Sequence, residues 1–211
     1  MPYVLKLPRM NSVLPDAYWR MVTASLATSN DVAAADIWHK IPCQTSIVHY
    51  GQLLRLDGGN TIWCSDLVSL KSGERDTSFV WVSQIQYSFC VFLTILQYYS
   101  YIDKFAHWRQ RQPEFEFRTF YGQLLWILVV EVPAEISRTE QLETVLLAVI
   151  CNVKVKSRDP KLNIVCYDEM GPLTVVDLKT VECVVGRVHD CGEWAIVDRH
   201  PLSHPPSEEP L

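Results

Sequence analysis

The sequence predicts a mainly β (α+β) fold, an antiparallel barrel or sandwich with a short N-terminal helical hairpin. Three observations predict it. Beyond residue 140 the chain runs through short apolar, β-branched and aromatic segments divided by turn residues, with no helical period between them. Residues 14–41 instead carry apolar side chains at helical spacing. Apolar residues make up 48% and charged residues 20% of the 211 positions, enough to bury one core of ordinary size.

Residues 1–13 form an N-terminal lead with two prolines and no long apolar run, unlike a signal peptide. Residues 14–42 form the helical hairpin. Leu14-Pro15-Asp16 is a start signal with Asp16 as the candidate N-cap, and Trp19, Val22 and Leu26 share one helix face. Ser29-Asn30-Asp31 restarts the chain, Ala34, Ile37, Trp38 and Ile41 make a second stripe, and Pro42 ends it.

Residues 43–199 form the β-rich domain. Residues 47–56, Asp57-Gly58-Gly59-Asn60 and residues 61–63 read as a strand, a turn and a returning strand. Tyr50-Gly51-Gln52-Leu53-Leu54 recurs as Tyr121-Gly122-Gln123-Leu124-Leu125, and each copy opens a strand-like segment. Six further strands are predicted at residues 120–132, 144–155, 162–167, 173–178, 181–188 and 193–198, with a hairpin turn at His189-Asp190-Cys191-Gly192. Asp159-Pro160 turns the hairpin before residue 162. Residues 200–211 carry four prolines and Glu208-Glu209, the composition of a solvated, disordered tail.

One window breaks the average. At 20% charged, residues 77–102 should hold about five charges and hold none. Residues 81–102 have the length of a membrane span, yet glutamines, serines and a threonine dilute the run throughout, which favours a buried element of the fold.

The net charge of −5 argues against a surface that is wholly a nucleic-acid platform. Seven widely spaced cysteines, odd in number and never in a Cys-x-x-Cys pair, predict neither a disulfide framework nor a zinc ribbon, and point to a reducing, intracellular setting. The histidines stand singly, and no phosphate-cradling loop, nucleophile elbow or zinc-protease helix is present, so no cofactor, metal or catalytic residue is predicted.

Two features carry chemistry. Asp168, Asp177 and Asp198 each close an apolar run, where ribonuclease-H-like nucleases place metal-binding acids, but that fold requires helices between its strands and none follows residue 140. Aspartate ending a strand at a turn is the simpler account. Two basic clusters are candidate phosphate contacts. Lys104, Arg109 and Arg111 interleave with Trp108 and its aromatic neighbours, and Lys154, Lys156, Arg158 and Lys161 crowd the hairpin turned by Asp159-Pro160. Arg187 is either a binding arginine or a surface partner of Glu182 or Asp190.

Taken together, Leu14-Pro15-Asp16-Ala17-Tyr18-Trp19, Ala35-Asp36-Ile37-Trp38-His39-Lys40-Ile41-Pro42, Leu56-Asp57-Gly58-Gly59, Phe120-Tyr121-Gly122-Gln123-Leu124, Tyr167-Asp168-Glu169-Met170-Gly171, Val181-Glu182-Cys183-Val184-Val185-Gly186-Arg187 and Trp194-Ala195-Ile196-Val197-Asp198-Arg199 resemble a block in uncharacterised transposon-associated proteins of mushroom-forming fungi. Its barrel-like pattern is similar to the bromo-adjacent-homology domains of chromatin proteins. The resemblance implies a C-terminal, β-rich module without catalytic residues to carry over. Against that family the chain has roughly twenty additional uncharged residues, so residues 82–100 read as an insertion, a translated intron.

The function expected on these grounds is a non-enzymatic nucleic-acid- or chromatin-binding module of a transposon-derived protein, with DNA or chromatin as partner and the nucleus favoured over the cytoplasm, acting through Lys104, Trp108, Arg109, Arg111, Lys154, Lys156, Arg158 and Lys161. The alternatives are the remnant of a metal-dependent transposase or nuclease using the three aspartates, or a decayed product without function.

Overall fold

A computed structural model describes residues 3–9, 14–30, 32–41, 47–56, 61–67, 76–83, 101–103, 115–117, 119–159, 161–162, 164–190 and 192–197. The chain forms β1 (Tyr3–Arg9), α1 (Asp16–Asn30), α2 (Ala34–Lys40), β2 (Ile47–Arg55), β3 (Thr61–Trp63), β4 (Phe79–Ser83), β5 (Tyr101–Asp103), β6 (Phe115–Phe117), β7 (Thr119–Val132), β8 (Glu143–Asp159), β9 (Ile164–Asp177), β10 (Val181–Val184), β11 (Gly186–Asp190) and β12 (Glu193–Val197). A 3-10 turn, Leu178–Thr180, links β9 to β10.

The fold is mainly β, with two short helices and antiparallel strand pairing throughout. Ten strands form one sheet; β5 and β6 pair separately. β7 is the spine of the large sheet. Its first half pairs with β4 (Phe79↔Gln123), its second half with β2 (Tyr50↔Ile127), and its other edge with β8 along most of its length.

From β8 the pairing continues through β9 and β12 to β11, while β4 pairs with β10. Val185 joins β10 to β11 and donates its N–H to the Phe79 carbonyl at 3.0 Å. The circuit β7–β8–β9–β12–β11/β10–β4 therefore returns to β7 as a barrel-like curl. Closing a sheet in this way covers strand edges that would otherwise recruit another chain.

A bulge in β7 between Leu124 and Trp126 lets one strand serve two cores. Leu124 and Ile127 join Leu53, Ile62, Val80, Ala148 and Ile150 in one buried cluster. Leu125, Trp126, Leu128 and Val130 face the helices, where they meet Trp19, Val22, Leu26, Ile37 and Ile41. In β8 the clean alternation of Leu147 and Val149 against Ala148 and Ile150 divides the same two cores. The barrel end has its own core of Phe79, Tyr121, Val153, Val165, Tyr167, Val185 and Ile196.

Several local expectations are corrected. Residues 3–9 are not a bare lead: they pair with β2 as an edge strand, a position that tolerates Pro8 because its missing N–H is not required. Asp16 lies in the first turn of α1 rather than at its cap, and the Pro15 carbonyl accepts the first N–H groups. Of the α2 stripe, Ile37 and Ile41 are buried, whereas Ala34 is exposed and Trp38 leans on Trp19 with its outer face in solvent. The first Tyr-Gly-Gln-Leu-Leu copy lies inside β2, not at its start.

The runs 162–167 and 173–178 are one strand, β9, across Gly171-Pro172, because β8 shifts register beside it and follows the bend. Residues 181–188 are conversely two strands, because the buried Val185 switches the chain from β4 to β12. The charge-free residues 84–100, the turn at 57–60 and the C-terminal segment from residue 198 lie outside the described residues. Among the described residues no helix is long and apolar enough to cross a membrane.

Candidate nucleic-acid interface

β7 stops pairing with β8 at Asn152, and β8 runs on for another turnless stretch to Asp159 with β9 on one side only. Every residue from Lys154 to Asp159 is exposed. Basic side chains on such a strand also have a structural use, since a charged edge resists pairing with another chain.

The structure places the second basic cluster on this projecting hairpin and separates it into two pairs. Lys154 meets Glu169 across the strands at 2.9 Å. Lys156 reaches Asp168 at 3.4 Å and also bonds Glu193 on β12. The hydrogen bond to Glu169 raises the pKa of Lys154, and those to Glu193 and Asp168 raise that of Lys156. Both lysines stay protonated, but three carboxylates offset their charge.

Arg158 and Lys161 are different. Both are exposed, and neither side chain has an ion pair among the described residues. The nearest acid, Asp159, is held in the turn, its Oδ1 accepting the N–H groups of Lys161 at 2.8 Å and Leu162 at 3.1 Å. Ser157, Arg158, Asp159, Lys161 and Cys166 line an open concavity of about 460 Å³. Two cations, a hydroxyl, a thiol and the turn-bound Asp159 carboxylate line it, an arrangement open to an anionic group in water contact.

Lys104, Trp108, Arg109 and Arg111 lie outside the described residues, between β5 and β6 in the chain. The aspartates of the nuclease reading do not converge. Asp168 and Asp177 stand on the same strand, with up to roughly 30 Å of bent chain between them at about 3.3 Å per residue. Asp168 pairs with Lys156, and Asp177 accepts the Lys179 N–H at 2.8 Å to cap the 3-10 turn. Asp198 lies outside the described residues. Among the described residues no group of three His, Cys, Asp or Glu side chains is placed to hold a metal ion.

Sequence reasoning missed a second polar assembly at the barrel mouth. Arg187 pairs with Asp76 at 2.9 Å, not with Glu182 or Asp190. Its guanidinium lies 4.0 Å from the Phe79 ring centroid and 4.2 Å from that of Trp194, with the Tyr167 hydroxyl 3.4 Å away. Asp76 also accepts from the Ser78 hydroxyl and N–H, and Gln123 donates to that hydroxyl. Both Asp76 oxygens and both terminal guanidinium nitrogens are engaged, and the assembly ties the barrel end together. No signal in residue spacing links positions 76 and 187.

Comparison with protein-family models, curated proteins and solved structures finds no match to this chain.

Proposed function

We propose that this chain is a non-enzymatic nucleic-acid-binding module, which docks on the phosphate backbone through the tip of the β8–β9 hairpin and acts in the nucleus as part of a transposon-derived protein. The observation that carries the reading is the pair of open cations, Arg158 and Lys161, beside the concavity at that tip. Lys154 and Lys156 contribute little, because Glu169, Asp168 and Glu193 hold them. The transposon setting comes from the sequence resemblance, which a nucleic-acid contact fits.

Two phosphate contacts support weak, sequence-independent binding of the kind that backbone charge supplies. The test is fluorescence anisotropy with labelled single- and double-stranded oligonucleotides at low salt, comparing the chain with Arg158→Glu/Lys161→Glu. Binding that the charge reversal abolishes, with circular dichroism unchanged, is the result this reading requires. No binding, or binding indifferent to the reversal, overturns it.

A further inference from the structure

The geometry points to Leu162 as an apolar wedge beside the two phosphate contacts, one that directs the hairpin tip to duplex DNA whose base stack is already open at a bulge or mismatch. This rests on the reading of the tip as a phosphate contact and adds the form of nucleic acid it selects.

Leu162 is 67% exposed in the connection between β8 and β9. Asp159 and Ile164 are register partners, and only four residues separate them in the chain. The Asp159 carboxylate fixes the backbone here, accepting the N–H groups of both Lys161 and Leu162. A side chain presented from a backbone already held in place loses little freedom on binding. Leu142, 68% exposed at the other end of β8, lies close in the chain to Glu140 and Glu143, which repel a phosphate. Leu162 instead follows Lys161 directly and lies four positions from Arg158, the two open cations of the tip.

The side chains available decide between single strand and duplex. Residues 153–164 contain no aromatic ring, so the hairpin offers no platform on which the bases of a single strand can stack. Cations beside an aliphatic side chain match a different arrangement, in which phosphate contacts hold the backbone and an apolar residue slips between base pairs from the minor groove. Energies then decide which duplex. Burying a leucine and unstacking a base step are free energies of similar size and opposite sign, so at an intact step they nearly cancel. Two phosphate contacts add little to make up the difference. Where a bulge or mismatch has already opened the stack, the unstacking cost is absent and burial of Leu162 adds to the phosphate contacts.

Fluorescence anisotropy on the full chain at low salt tests this with an intact duplex, the same duplex carrying a single-base bulge, and the single strand. The bulged duplex should bind about five- to twentyfold more tightly than the intact one, the scale of burying one leucine side chain. Leu162→Ser should remove that preference while leaving the salt slope on intact duplex unchanged, because both cations remain. Leu142→Ser, at an equally exposed position, should change neither. Equal affinity for the intact and bulged duplexes, tightest binding to the single strand, or a bulge preference that survives Leu162→Ser overturns the wedge. Each of these leaves the phosphate contact standing if Arg158→Glu/Lys161→Glu still abolishes binding. No binding to any of the three oligonucleotides overturns the nucleic-acid reading and the wedge with it.

Discussion

Arg187 and Asp76, 111 residues apart in the chain, meet at 2.9 Å between the rings of Phe79 and Trp194. The contact ties the β11–β12 hairpin to the segment entering β4, at the point where the barrel circuit closes. Their side chains are 25% and 18% exposed, so water screens the pair only in part. Arg187→Gln should lower unfolding stability by about 1–3 kcal/mol, from the lost ion pair and the lost cation–π contacts. A double-mutant cycle with Asp76→Asn, followed by urea denaturation, should give a coupling energy of about 1 kcal/mol or more. Strict additivity would show that the two residues do not act as a pair.

Gly122 is a site of close strand approach. A Cβ there would sit 2.8 Å from the Cys151 carbonyl oxygen and also collide with Ile150. Since a backbone atom must move, Gly122→Ala should cost about 1–3 kcal/mol. At Gly171 the nearest atom to such a Cβ is the Asn152 carbonyl oxygen at 3.4 Å, so Gly171→Ala should be much milder. Thermal melts of the two variants read the difference directly, and equal losses would count against the described β7–β8 register.

His49 is buried with its ring edge-on to Trp126 at 5.1 Å. Burial lowers its pKa from the usual 6.5. The folded state therefore binds less proton than the unfolded chain once the pH drops below that value. His49 costs nothing at pH 8, and stability falls as pH decreases through 6.5 toward the depressed folded pKa. His49→Gln should flatten this part of the stability–pH curve, measured by denaturant unfolding between pH 5 and 8. An unchanged slope would assign the acid sensitivity to other groups.

The hairpin tip makes a quantitative statement about salt. Two phosphate contacts give a slope of about −1.8 in a plot of log affinity against log salt for duplex DNA. Arg158→Gln/Lys161→Gln should bring the slope near zero. Lys154→Gln should change the affinity by less than about twofold, because Glu169 already offsets that charge. A steeper slope in the unaltered chain would mean that further cations, such as Lys104, Arg109 and Arg111, share the contact.

Burial of Cys64, whose thiol bonds the Tyr50 carbonyl at 3.3 Å, raises its pKa strongly. At pH 8 it should resist alkylation in the native chain and react only after unfolding, while the half-buried Cys166 on the tip concavity is modified before it. Site-resolved mass spectrometry after iodoacetamide labelling distinguishes the two.

Much of the architecture is legible where one period dominates. Trp19, Val22 and Leu26 repeat at helical spacing and are all buried, and the β7 and β8 runs are apolar enough to be read as strands without knowing their partners. What is lost is everything decided by a distant partner. Gly171 and Pro172 read locally as a break, yet the bulged β8 carries them within one strand. Val185 reads as mid-strand, yet its bond to Phe79 turns the chain. The lysines of the hairpin were recognisable by composition, but their neutralisation depends on acids 15 and 37 residues further along the chain. Spacing along a sequence does not encode which strands will lie side by side.

The central place of β7 also sets the order in which the chain becomes a structure during its synthesis. Until residues 119–132 leave the ribosome, α1 and α2 lack the β7 face they pack on, β4 lacks its β7 partner, and β2 can pair only with β1 and β3. The helices wait with Trp19 and their other apolar side chains uncovered, and the barrel circuit closes late on contacts distant in sequence. A ribosome pausing just before β7 would expose these apolar faces to aggregation more than a pause anywhere after β8.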